Sequence, residues 1–336
     1  MIDKRLLTGI LVGATLIGTA ACDSKGLGYG DPNSIIAVMS PERWEEVRSD
    51  VYSALETTVF TVAEENEYTV TYQEPYAEYW TQLRRFRQML LVGTLSDPWV
   101  QEAIDEAREP ITEPGIYQIR EVWALDQTVT LVVLPDSGGN EALRRMLPDV
   151  HELLDEQYQN YARNRMYMSG IDTALADTLS AEAGFSFLLP EVYRWQQIND
   201  SMFVFRNDNP DPSELIREVF VTWASPALTS LDADGLLEWR QRLVDSYYND
   251  KQVLREGQRF VETEPFLGHE ALRVQAQWQN APDLNWPAGG PFITYAITCA
   301  NQDRTYFVDA WLYAPGKEKY EYMIQLETIL GTFECE

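Results

Sequence analysis

The rhythm of this sequence changes once, across a long helical stretch, and that change limits the class of fold open to it. Ahead of Asn140, short apolar runs alternate with stretches of helical spacing. Beyond Gly184, strand-like runs follow one another with few helices between them. Alternation implies a layered α/β unit, and consecutive strands imply an antiparallel sheet. The chain is therefore expected to be α+β: two α/β-type halves, the second a largely antiparallel sheet with a closing helix. The expected units are residues 34–139, a helical connector over 140–183 and a C-terminal domain over 184–336. A length of 336 residues suits two domains or one large one.

In the first half, Ser34 to Met39 reads as a strand, and Ser40-Pro41-Glu42 starts a helix with an N-cap, a proline in the first turn and an acid where the helix dipole favours it. Trp44, Val47, Val51 and Leu55 recur at helical spacing and mark its buried face. Strands are predicted over Tyr68 to Tyr72 and Met89 to Gly93, with helices over Tyr76 to Phe86 and Trp99 to Arg108. Tyr117 to Leu134 reads as a hairpin turning at Asp126-Gln127, its second arm apolar enough for a central strand. In the connector, Leu143, Leu147, Val150, Leu154, Tyr158 and Tyr161 form one stripe, and Ile171, Leu175 and Leu179 form another after a break at Ser169-Gly170. The second half predicts strands within 185–190, 202–206, 219–224, 260–264, 271–278, 292–298 and 304–313, and helices over 232–248 and 317–330.

The first 22 residues address the protein rather than build it. Lys4 and Arg5 precede the uncharged run Leu6 to Ala21, which ends in Gly18-Thr19-Ala20-Ala21 directly before Cys22. This is a charged start, an apolar middle and a small-residue cleavage zone. A spanning helix needs about 20 apolar residues, and this run is shorter and thinned by Gly9, Gly13 and Gly18. A cysteine at the first mature position resembles the bacterial lipoprotein signal, so residues 1–21 are expected to be removed and Cys22 acylated. Thr19 stands where that signal usually has an aliphatic residue. Plain secretion with cleavage after Ala21, or an uncleaved anchor, are the alternatives. Residues 22–33 carry glycines, a proline and little to bury, the composition of a flexible tether. The expected location is the cell envelope, held to a membrane by lipid and facing the periplasm or exterior. Asp23 resembles the inner-membrane retention signal of enterobacteria, and inner versus outer membrane stays open.

The formal net charge of −27 excludes nucleic acid as a partner, because such a surface repels phosphate backbones. Beyond Cys22 only Cys299 and Cys335 remain. An even pair in an oxidising compartment predicts one disulfide, whose closed loop is worth roughly 3–4 kcal/mol. Two free thiols are the alternative. No catalytic constellation, metal site or cofactor motif is found. His151 and His269 lack further ligands at metal spacing and read as structural or surface histidines. Asp232-Ala233-Asp234-Gly235 begins like a calcium loop, but the ligand positions beyond it fail and a helix cap is the better reading. Glu64 to Glu67 reads as a solvated charge run on a turn.

The most distinctive internal stretch is Gly289-Gly290-Pro291-Phe292, a tight turn ahead of an aromatic strand and flanked by Trp278 and Trp286. Trp278, Trp286, Gly289, Gly290 and Tyr295 are the candidate lining of a shallow groove; packing beneath a loop is the competing role for the tryptophans. That turn, Ile35-Ile36-Ala37-Val38-Met39 with Trp44, and Tyr313-Ala314-Pro315-Gly316-Lys317 occur in the same order in an envelope lipoprotein family of Bacteroidetes-like bacteria, labelled domain of unknown function 4837, which this chain resembles. That resemblance implies no activity, cofactor or site residue. The second half, with its closing segment Leu326 to Phe333, also resembles the PsbP/Mog1-type α/β/α sandwich. The expected role is a lipid-anchored binding or scaffolding module with an envelope protein, glycan or lipid partner. The alternative is a hydrolase acting on envelope material through a carboxylate pair beside the Trp278–Trp286 groove.

Overall fold

In a computed structural model the described residues are 25–208, 214–249, 251–284 and 286–335. Residues 1–21, the proposed signal, and Cys22 lie outside them. The first half is built from β1 (Ser34–Val38), α1 (Pro41–Leu55), β2 (Thr58–Val59), β3 (Glu65–Asn66), β4 (Thr69–Gln73), α2 (Trp80–Leu83), β5 (Gln88–Thr94), α3 (Pro98–Ile104), β6 (Gly115–Arg120), β7 (Thr128–Leu134), α4 (Gly139–Met166) and α5 (Thr173–Ala183). The second half comprises β8 (Phe185–Ser186), β9 (Arg194–Asn199), β10 (Met202–Asn207), β11 (Ile216–Ala224), α6 (Ala233–Tyr247), β12 (Gln252–Leu254), β13 (Phe260–Glu262), β14 (Glu270–Asn280), β15 (Gly289–Cys299), β16 (Arg304–Tyr313), α7 (Tyr320–Leu330) and β17 (Glu334–Cys335). Among the described residues no helix is long and apolar enough to cross a membrane.

The fold is α+β. The N-terminal sheet has the order β4-β1-β5-β7-β6, parallel except for the antiparallel β6–β7 edge. Its strands alternate between two cores, as a pleated strand must when both faces are covered. Ile35 and Ala37 of β1 face α1 and α4, whereas Ile36 and Val38 face Trp80, Val100 and Ala103 of α2 and α3. The C-terminal sheet is antiparallel throughout, ordered β12-β14-β15-β16-β11-β10-β9 with β13 also on β14. It too is covered on both faces, by α5 and α7 on one side and α6 on the other. Cys299 and Cys335 lie at bonding distance, with Cα atoms 6.3 Å apart. Their bond ties the end of β15 to β17, which pairs with β8.

Four expectations from the sequence differ from the structure. The helix over Tyr76 to Phe86 shrinks to the single turn α2. Tyr76 sits at φ +60°, and the Arg84 and Phe86 carbonyls accept from the buried Gln127 side chain, which draws the chain out of helical bonding. The same Gln127 keeps the β6–β7 connection open: the first arm ends at Arg120, and Val122 and Ala124 are buried in the loop rather than in a strand. The connector divides between the halves. Leu143, Leu147, Val150 and Leu154 of α4 complete the N-terminal core, while Leu175 and Leu179 of α5 join the C-terminal one. Finally, residues 25–33 are not a free spacer. Gly28 N donates to Leu125 O at 2.7 Å, Leu125 N to Gly26 O at 2.9 Å and Arg87 N to Tyr29 O at 2.8 Å. The Lys25 ammonium lies 2.6 Å from Glu106 and 2.7 Å from Glu121 O. The glycines here permit close backbone approach: Gly30 adopts φ +97° with its Cα against the Phe86 ring.

The acidic run at 64–67 joins the two halves. The Glu65 carboxylate accepts from the backbone N–H groups of Lys319 and of Tyr320, the latter at 2.7 Å, and so caps α7 from the other half of the protein. A negative charge there satisfies orphan donors and complements the helix dipole. Glu67 pairs with His151 Nε2 at 2.7 Å, which makes His151 structural. Tyr320 donates to Asp155 of α4 at 2.7 Å and stacks on Tyr158 at 5.4 Å. Replacing the cap by Glu65→Ala should lower global stability by about 1–2 kcal/mol, measured as a shift of the denaturant midpoint. A surface residue such as Glu64 should tolerate the same change, and equal effects of the two variants would contradict the capping role.

Candidate functional site

A cavity of about 250 Å³ opens at one end of the C-terminal sheet, beneath the end of α6. Trp278 and Asn280 of β14, Trp311 and Tyr313 of β16, Arg206 of β10 and Ile216 of β11 form its floor and walls. Tyr248, Asn249 and Gln252 come from the α6–β12 connection, and Trp286 and Ala288 from the loop entering β15. Trp278 is 4% exposed and Trp286 46%, so one forms the floor and the other stands at the mouth. The Trp278 ring meets Trp311 edge-on at 5.4 Å, and Trp311 meets Tyr248 edge-on at 5.8 Å. Gly290 makes room for this packing. A Cβ there would fall 1.7 Å from Leu312 O and 2.8 Å from the Trp278 indole nitrogen. That indole nitrogen donates to Leu312 O at 3.3 Å.

Behind the wall lies a carboxylate. Glu218 is 1% exposed, on β11 directly between Arg206 of β10 and Trp311 of β16 in the strand registers. Its Oε1 accepts from the Tyr248 hydroxyl and from Trp311 Nε1 at 3.2 Å, and its Oε2 from Arg206 Nη1 at 3.1 Å. Burial pushes its carboxyl above the ordinary value against the pull of these donors, and burial also raises the Tyr248 hydroxyl well above its usual value. A second buried pair holds α6 to the sheet. Arg240 Nε donates to Asp309 at 2.9 Å and Nη2 to Gln252 at 3.1 Å, with the guanidinium 3.8 Å above the Phe292 ring. Burial likewise raises the Asp309 carboxyl. Glu218 and Asp309 are diagonal neighbours on one face of the sheet.

Of the residues singled out in the sequence, Trp278 and Trp286 line the cavity, and Gly289 and Gly290 open the strand beside it. Tyr295 does not belong with them. It is an odd number of residues from Phe292, so it faces the α7 side, where it packs on Phe266 at 4.4 Å. Cys299 and Cys335 sit elsewhere, with His269 Nε2 3.7 Å from Cys335 Sγ. These three are the His/Cys/acid cluster compact enough for a metal among the described residues, but the two sulfurs are engaged with each other. Asp232 accepts from Gly235 N at 2.8 Å, as a helix cap does. Glu218, Arg206, Trp311, Tyr248 and the Arg240–Asp309 pair escaped the sequence reading. Their signal is a charge inside an apolar strand run: Glu218 before Val219-Phe220-Val221, and Asp309 within Phe307 to Trp311.

The lining carries aromatic faces, amides and a guanidinium, with no Ser, Cys or His among its described residues. Because burial raises the Glu218 carboxyl, the folded protein holds its proton more tightly than the unfolded chain. Its charge therefore weighs against folding once the pH exceeds the ordinary value of about 4, and increasingly so until the folded-state value is passed. The melting temperature should accordingly fall as the pH rises through the weakly acidic range. Glu218→Gln, which cannot ionise, should flatten that slope; an unchanged slope would show that Glu218 does not contribute to it.

Several solved structures are similar to part of the chain. The Ran-binding protein Mog1p of Saccharomyces cerevisiae is 12% identical, covering 45% of this chain and 90% of that one, with a TM-score of 0.32. Cyanobacterial PsbP from Synechocystis is 12% identical over 46% of this chain and 87% of its own, with a TM-score of 0.31. A protein from Bacteroides thetaiotaomicron is 14% identical over 46% of each chain, with a TM-score of 0.19. No curated protein matches the sequence. Residues 172–332, which run from the cap of α5 through α7 and contain the whole cavity, match the family model of a domain of unknown function, DUF4837.

Proposed function

We propose that this is a lipid-anchored cell-envelope protein whose C-terminal half binds a small ligand, or one projecting unit of a larger one, in the aromatic cavity. The observation that carries the reading is the pairing of three indoles and two phenol rings with Asn249, Gln252, Asn280 and Arg206 around a single opening. Aromatic faces accept the C–H face of a ring, and amides accept and donate around its rim, so a sugar unit of an envelope glycan is the best chemical match. The lipid attachment at Cys22 rests on the basic start, apolar run and small residues before it.

A second reading, a hydrolase using a carboxylate pair, is favoured by one observation: Glu218 and Asp309 share a face and both are raised by burial. Against it, each is already engaged by its own arginine. Titration of the protein with envelope glycan fragments should give a saturable change in tryptophan fluorescence, lost in Trp286→Ala, whose exposed ring contributes little to the core. Absence of saturable binding to any fragment would overturn the glycan reading. Product formation abolished by Glu218→Gln would establish the hydrolase instead. Cys22→Ser should release the protein from the membrane fraction, and retention there would contradict the lipid anchor.

A further inference from the structure

The N-terminal half holds the start of the described chain against its own surface, and this determines which face an anchored protein turns to the membrane. Resting on the lipid attachment at Cys22, we propose that the N-terminal ends of the parallel strands β5 and β7 form a bilayer-facing surface, with Leu27, Tyr29 and Leu125 seated in the lipid interface.

From Cys22 to Lys25 the chain advances three residues, which reach at most about 10 Å when fully extended. At Lys25 the ammonium is bonded to Glu106 and to Glu121 O, and the backbone is held at the next residue, Gly26, whose O accepts from Leu125 N at 2.9 Å. Leu27 then pairs with Leu125, just before β7, and Tyr29 with Phe86, just before β5. An acylated Cys22 therefore cannot hold the body away from the lipid on a twelve-residue spacer. The surface around Lys25 must lie within that short reach of the headgroups, whose layer is itself several ångströms deep.

That surface is suited to the contact. Leu27 is 64% exposed, Leu125 44% and Tyr29 41%. As bridge partners Leu27 and Leu125 stand side by side, and Tyr29 follows Leu27 by two residues on the same extended run. Tyrosine is favoured at the headgroup level, where one end of the ring is apolar and the other wet. A chain of net charge −27 would be repelled by anionic lipid over most of its surface. Here two of the acids have cationic partners, Glu106 in Lys25 at 2.6 Å and Asp126 in Arg87 at 3.2 Å, and the exposed Arg85, lying over Gly26, stands beside the exposed Glu121 as a further positive charge on this end of the sheet.

The strand β7 supplies both the probe and its control. Leu125 lies three residues before its start and Ser137 three beyond its end, on opposite sides of a seven-residue strand that rises about 23 Å. The full chain, produced in a bacterium that acylates lipoproteins, would be reconstituted in phosphatidylethanolamine/phosphatidylglycerol vesicles as Leu125→Cys and Ser137→Cys variants. An environment-sensitive fluorophore would be attached under non-reducing conditions, with acylation read by mass spectrometry. The label at 125 should shift to shorter wavelength and lose most of its emission to a lipid-borne quencher, while the label at 137 stays as in water. Leu27→Cys should report as position 125 does and covers the case in which that variant fails to fold. An acylated protein whose label at both 27 and 125 is as aqueous as at 137 overturns the proposed orientation while leaving the anchor intact. A protein that carries no lipid, or stays on vesicles as Cys22→Ser, overturns the anchor itself and the orientation with it.

Discussion

The last helix holds this protein together because two cores claim it at once. Met323, Leu326, Ile329 and Leu330 of α7 fill the core against the antiparallel sheet, while Ile324 enters the core formed by α1, α4 and the parallel sheet. Its first turn is capped by Glu65 and its opening tyrosine is bonded to α4. Arg165 of α4 adds an ion pair to Glu321 at 2.8 Å. A helix buried on two sides cannot keep its place if either half opens. The halves are thereby coupled, although their sheets share no strand. Helical stability in a short segment comes mainly from such packing rather than from propensity.

This coupling explains which parts of the fold could be read in advance. The extent of β16 and the start of α1 follow from local rules: a nearly unbroken apolar run in one, a serine cap and first-turn proline in the other. The cap of α7 could not be read locally, because the group that accepts from its first N–H groups is a glutamate in the other half of the chain. A run such as Glu64 to Glu67 looks solvated until a distant helix end comes to meet it. The glycines of residues 26–30 mislead in the same way. Composition associates glycine with looseness, yet here glycine lets the backbone approach Leu125 and Phe86 closely enough to be held. Tyr76, Trp80 and Leu83 mimic a helical stripe, but a buried glutamine side chain takes the carbonyls the helix needs.

The site was legible through its glycines and tryptophans and opaque in its polar members. Gly290 beside Trp278 signals close approach whatever the partner. Tyr295 falls away from the tryptophans because successive residues of a strand face opposite sides, which places it on the α7 side of the sheet. Glu218 and Asp309 are single acids in apolar runs, among 53 acids in the chain, so no spacing sets them apart. Only the fold, by placing β10, β11 and β16 side by side, makes Arg206, Glu218 and Trp311 neighbours.

What Glu218 does follows from where its donors originate. Arg206 belongs to β10, Trp311 to β16, and Tyr248 closes α6; all three also line the cavity. One carboxylate therefore fixes three walls that come from separate parts of the chain. Burying that charge costs stability, since its carboxyl is raised even with three donors around it. An apolar residue of similar volume would remove that cost, but it would leave the Tyr248 hydroxyl without its acceptor and Trp311 Nε1 with the Tyr248 oxygen alone, at 2.9 Å. A cavity whose aromatic walls are held before any ligand arrives loses less entropy on binding. Each oxygen of Glu218 accepts from a residue of the cavity wall, Oε1 from Tyr248 and Trp311 and Oε2 from Arg206, and these bonds hold the shape of the pocket.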